Sequence, residues 1–264
     1  MADAKISGLA AIGGTVGDAF ADLLPYIDGN AAPAAANVKV SPFDLFVARS
    51  RKYSWFFDDL YSVGLIVQSA SGAGAQVYQN NASDVNHPGV VGMDTGTDTT
   101  GAAGISSFNA YAFRPGGGRI KFLCYLKTPS ALSDGTNRYS IFAGLTRSSL
   151  AYAPSEWLGV RYRDDVNGSP AKWQLVCRNG GSESVADIGV IAAADTWYRI
   201  EIDINAAANS VTASVNGTVS PAVTTNIPTA ESFFTMQIVK ALGTTNRSLN
   251  ADGYGWAQNF TTAR

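Results

Sequence analysis

An all-β sandwich is the fold class this sequence predicts, and three observations carry it. Trp197 to Ile204 alternates strictly, with Tyr198, Ile200, Ile202 and Ile204 on one side and Trp197, Arg199, Glu201 and Asp203 on the other, the pattern of a half-buried strand. Val211, Ala213 and Val215 repeat the pattern, and Asn216-Gly217 supplies the positive φ angles of a tight type I′ hairpin before a third strand at Thr218. Elsewhere, short aromatic and β-branched runs recur between Gly, Asn, Asp and Pro, without helical periodicity.

Taken in order, strands are predicted at residues 53–60, 75–79, 108–113, 119–127, 139–146, 157–162, 172–177 and 185–191, then in the 197–225 stretch, and finally at 234–241 and 254–260. Asn205 to Asn209 reads as a turn, and so does the run Asp165-Val166-Asn167-Gly168. Together these make one β domain over residues 51–264, about 210 residues and near the upper end for a single all-β unit. No fixed internal period is visible.

Composition narrows the function classes. The net charge is −2 and only 15% of the 264 residues are charged, so no basic stripe exists to hold a phosphate backbone, and nucleic-acid binding is not expected. Apolar runs break well before the roughly 20 residues of a membrane helix, so no membrane insertion is expected. The two cysteines, Cys124 and Cys177, lie in strand-like runs and read as buried thiols; the single histidine, His87, precedes Pro88 and reads as a turn residue. A conventional zinc site lacks ligands. Asp94, Asp98, Asp164, Asp165 and Asn167 offer oxygens for calcium, but the run Asp165-Val166-Asn167-Gly168 is better explained as a hairpin turn, and no metal or other cofactor is expected.

Residues 1–50 differ in texture. They are rich in Ala and Gly and contain the linker-like run NAAPAAAN at 30–37. Asp3, Asp18 and four glycines argue against a secretory signal. Yet Ile6, Leu9, Leu23, Leu24, Tyr26 and Ile27 are too apolar for a free tail, and Gly and Pro25 interrupt every candidate helix.

Lys5-Ile6-Ser7-Gly8-Leu9 followed by Asp22-Leu23-Leu24-Pro25-Tyr26-Ile27-Asp28 resembles the N-terminal segment of bacteriophage virion appendage proteins of the fibre and decoration class. That resemblance implies an extended anchoring arm, in which Ile6, Leu9, Leu23, Leu24, Pro25, Tyr26 and Ile27 engage capsid, neck or tail proteins or sister chains. It also implies a virion location and a homo-oligomer, with a trimer as the first choice. The remainder resembles the concanavalin A-like (laminin G-like) jelly roll. The residues that carry this are Trp197-Tyr198-Arg199-Ile200, the strand Val211 to Val215, the Asn216-Gly217 hairpin and Gly253-Tyr254-Gly255-Trp256. In that fold the first and last strands are neighbours, which would pair Trp55–Leu60 with Tyr254–Phe260. The stretch from Asn86 to Gly101 is similar to segments of phage-associated members.

The jelly-roll superfamily includes glucanases, whose strand motif Glu-x-Asp-x-Glu supplies a nucleophile, a helper and a general acid. Glu201-Ile202-Asp203-Ile204 matches the first half. The acid position, however, holds Asn205, or Ala206 in the longer form, and neither delivers a proton. A non-enzymatic virion protein displaying a lectin-like domain is therefore expected, with no catalytic residues and with Trp157, Trp173, Trp197, Arg199 and Glu201 as candidates to face a host-surface glycan. A glucanase-like enzyme is the alternative.

Overall fold

Two antiparallel sheets face each other across a single apolar core in the computed structural model, which describes residues 53–58, 60, 67–80, 86–87, 89–107, 113–148, 150–167 and 171–261. All of these belong to the unit Val47–Arg264. The strands are β1 (Tyr53–Asp58), β2 (Val67–Ser71), β3 (Ala75–Asn80), β4 (Val90–Thr95), β5 (Ala102–Ser106), β6 (Gly118–Lys127), β7 (Tyr139–Thr146), β8 (Trp157–Arg163), β9 (Lys172–Asn179), β10 (Ser182–Ile191), β11 (Trp197–Ile204), β12 (Val211–Val215), β13 (Thr218–Val219), β14 (Phe233–Lys240) and β15 (Ser248–Phe260). Sheet A runs β13-β12-β11-β6-β15-β4-β3, with β1 also paired to β15; sheet B runs β10-β9-β8-β7-β14-β5-β2.

The alternation of β11 sets the plan of sheet A. Tyr198, Ile200, Ile202 and Ile204 are buried and meet the inward residues of β6, Ile120, Phe122, Cys124 and Leu126, through an unbroken register from Trp197 opposite Lys127 to Ile204 opposite Ile120. Each such aliphatic side chain contributes roughly 1.5–3 kcal/mol by leaving water. The β12–β13 hairpin turns at Asn216 (φ 49°) and Gly217 (φ 85°), the two left-handed residues of a type I′ turn. In the β11–β12 turn, Asn205 Oδ1 accepts the Asn209 and Ser210 backbone N–H groups at 3.0 and 3.2 Å. The expected closure of the domain is present: Trp55 lies opposite Ala257 in the β1–β15 ladder.

Three strands escape a pattern reading. β4 (VVGMDT) and β5 (AAGIS) are buried at every position, so neither has a solvent face to create alternation, and β5 is built from small residues. The short strand β2 is mostly polar and largely exposed. Of the strand expected at 108–113, only Phe113 lies among the described residues, bridging to Ser232. Residues Asp164–Asn167 form one helical turn within the connection between the antiparallel neighbours β8 and β9.

Sheet B departs from the half-wet sandwich plan. In β7, β8 and β14 both faces are buried. Part of the outer face is closed by the segment after β7: Gln237 accepts the Leu150 N–H at 2.7 Å and donates to the Ala151 carbonyl at 2.9 Å, which fixes that segment over Gly104.

Cys124 and Cys177 are free thiols in the core, one from each sheet. Burial pushes the Cys177 thiol up to about 12, and Cys124 in the same direction.

Candidate functional site

Alternation leaves the outer face of sheet A as the broad polar surface of the domain. On β11 it displays Trp197, Arg199, Glu201 and Asp203; on β6 the directly opposed residues are Lys127, Tyr125, Leu123 and Lys121. On β12, Ser214 stands opposite Glu201 and Thr212 opposite Asp203. One rung can be followed across five strands, Tyr78–Gly92–Asn250–Lys127–Trp197.

The two carboxylates of the glucanase-like half-motif are both engaged. Glu201 pairs with Arg199 and accepts the Ser214 hydroxyl at 3.0 Å. Asp203 accepts Arg119 through both oxygens, Nε at 2.9 Å, and Lys121 Nζ stands 3.9 Å away. Asn205, where a general acid would be required, spends its side-chain oxygen on the turn.

Of the aromatic candidates, only Trp197 lies on this face. Trp173 is 0% exposed, in the core against Tyr162 and Tyr198. Trp157 is 1% exposed on the opposite side of sheet B, edge-on to Phe142 and beneath the guanidinium of Arg161. Both are interior packing residues, so their assignment as glycan-facing is corrected: a strand aromatic in a two-sheet sandwich gains more by burial than by display. Arg199 and Glu201 are exposed as expected, paired with each other. The arm residues Ile6, Leu9, Leu23, Leu24, Pro25, Tyr26 and Ile27 lie outside the described residues.

A cluster that sequence reasoning missed surrounds His87. Its imidazole stacks on Trp197 with ring centroids 3.8 Å apart, and Nδ1 lies 2.7 Å from Asp252 Oδ2. Asp252 sits where the β15 register shifts between Ala251 and Gly253, the kind of bulge that re-aims a side chain. Nothing local in the sequence announces this meeting, because the partners are 110 and 165 positions from His87.

The acidic residues weighed for calcium have protein partners instead. Asp94 is 7% exposed and holds Tyr78, Gln76 and Ser248. Asp98 accepts the Ala73 N–H, Asp164 faces Arg138, and Asp165 pairs with Arg163. Among the described residues no three of His, Cys, Asp and Glu converge as metal ligands.

Comparison with known proteins agrees with the architecture. A family model described as SO2946-like, C-terminal domain, matches residues 86–252. A search of the curated proteins finds no match. Among solved structures, SO2946, a protein of unknown function from Shewanella oneidensis MR-1, is 16% identical with a TM-score of 0.58, over 85% of this chain and 97% of that one. Peanut lectin is 10% identical with a TM-score of 0.58, over 80% of this chain and 100% of its own. The Bacillus licheniformis β-glucanase is 14% identical with a TM-score of 0.50, over 77% and 97%. At such identities the likeness establishes the fold alone: a concanavalin A-like jelly roll.

Proposed function

The chain belongs to the SO2946-like, C-terminal domain family, whose model match fixes the domain but not its role; we propose, from the outer face of sheet A and from the resemblance of residues 5–9 and 22–28, that it is a non-enzymatic, glycan-binding jelly roll displayed on a phage particle as a virion structural protein. The observation that carries the non-enzymatic reading is on β11. Glu201 and Asp203 share the outer face of sheet A with their oxygens engaged by Arg199, Ser214 and Arg119, and Asn205 stands where the proton donor would be needed. Glycoside hydrolysis requires two carboxyl groups flanking the scissile bond, one of them a proton donor. A face rich in paired charges, hydroxyls and amides suits recognition of a polyhydroxylated ligand without cleavage.

The virion role rests on the resemblance of residues 5–9 and 22–28 to phage appendage anchoring segments, and residues 1–50 are its proposed attachment to capsid, neck or tail proteins. A homotrimer is the proposed assembly, measurable as mass by light scattering. Leu23→Asp or Leu24→Asp should reduce incorporation into particles without changing the melting of the jelly roll; unchanged incorporation removes the anchoring role.

A glycan array probed with the full chain tests the binding function, and a blank array counts against it. The second reading, a glucanase, draws on the half-motif Glu201-x-Asp203. Reducing-sugar release from β-glucan that disappears in Glu201→Gln would establish that reading and refute ours.

A further inference from the structure

Where β11 runs into its turn toward β12, the outer face of sheet A holds a shallow cavity of about 190 Å³ lined by Arg119, Asp203, Asn205, Ser210 and Thr212. Its floor is rigid. Asn205 Oδ1 accepts two backbone N–H groups and its Nδ2 donates to Asn209 at 2.6 Å, so the wall it forms is set before any ligand arrives. On one side the Arg119 guanidinium uses Nε and Nη2 on Asp203, leaving Nη1 without a hydrogen bond among the described residues, and Lys121 approaches the same carboxylate. Two cations face one anion, so one positive charge is left uncompensated. On the other side stand the hydroxyls of Thr212, directly across the ladder from Asp203, and of Ser210; among the described residues neither hydroxyl hydrogen-bonds to the protein. Among the described residues no aromatic side chain lines the cavity.

We infer that this cavity binds one acidic saccharide unit, a hexuronate, with its carboxylate toward Arg119 and Lys121 and its ring hydroxyls on Ser210 and Thr212. The proposal rests on the glycan-binding reading of sheet A and names the ligand class for it. The mixture is specific in kind. A guanidinium matches a carboxylate better than it matches a hydroxyl, and the free hydroxyls accept and donate to a sugar's alcohols. A simple anion would leave the Ser210 and Thr212 hydroxyls unused, and a neutral sugar would leave the surplus charge unmet.

The full chain is titrated with sodium glucuronate, glucose and sodium acetate, each followed by saturation-transfer NMR. The expected result is saturable glucuronate binding in the millimolar range, with glucose and acetate at least about tenfold weaker. Arg119→Met should weaken glucuronate about tenfold and Thr212→Val several-fold, with little change in melting because Arg119 is exposed and Thr212→Val keeps the shape of a half-buried side chain. Glucose binding as well as glucuronate, acetate binding as well as glucuronate, unchanged affinity in both variants, or no glucuronate binding up to about 50 mM each overturns the proposal. The glycan array separates the two readings. Array binding that survives Arg119→Met leaves the glycan function standing and removes this cavity from it.

Discussion

The imidazole of His87 lies flat on the indole of Trp197, 3.8 Å between ring centroids and 15° between planes, while its Nδ1 meets Asp252. The segment leading into β4 is thereby tied to β15 and β11, two strands that are not neighbours of each other in sheet A. An aromatic pair of this kind is worth about 0.5–1.5 kcal/mol beyond the area it buries.

His87→Ala should accordingly lower the unfolding free energy by about 1–2 kcal/mol and raise hydrogen exchange at Val90 and Val91. A urea titration checks the first and amide exchange the second. Unaltered exchange at those two residues would show that the stacking does not secure the segment.

Gln237 is 1% exposed and its amide serves both the Leu150 N–H and the Ala151 carbonyl. Gln237→Met, of similar shape, strands both backbone groups and should cost about 2 kcal/mol in urea unfolding. Limited proteolysis between β7 and β8 should accelerate in the same variant, because the segment loses its clamp.

Asp203→Asn and Glu201→Gln should each change stability by less than about 1 kcal/mol, since the pairs they form with Arg119 and Arg199 are partly exposed and solvent-screened. A shift of the thermal midpoint beyond a few degrees in either variant contradicts that placement.

The thiols make a pH prediction. Burial raises both in the folded chain, Cys177 to about 12, whereas an unfolded cysteine titrates near 8.5. Above that value the unfolded chain has released thiol protons that the folded chain retains, so this contribution to stability is full below about pH 8.5 and is lost as the pH rises toward the folded values. Cys177→Ser should flatten the alkaline limb of a stability–pH profile. Iodoacetamide at pH 8 should label neither thiol until denaturant is added.

The resemblance to the concanavalin A-like jelly roll implied the pairing of β1 with β15; the sequence by itself determined the all-β class, the consecutive strands β11, β12 and β13 with the Asn216-Gly217 turn, and the incomplete carboxylate motif on β11. Each of these is written in a two-residue period, a turn dipeptide or a spacing, signals that local stereochemistry imposes on neighbouring residues. Tertiary structure alone decided the rest. Strands β4 and β5 carry no alternation because both their faces are buried. Trp157 and Trp173 look like any strand aromatic until the packing of sheet B encloses them, and His87 looks like a turn residue until Asp252 and Trp197 are brought to it. The cavity at Arg119 likewise joins residues from β6, β11, the β11–β12 turn and β12. Side chains so far apart in the chain meet only because the register of sheet A sets them side by side, and that register belongs to the sheet as a whole rather than to any one segment.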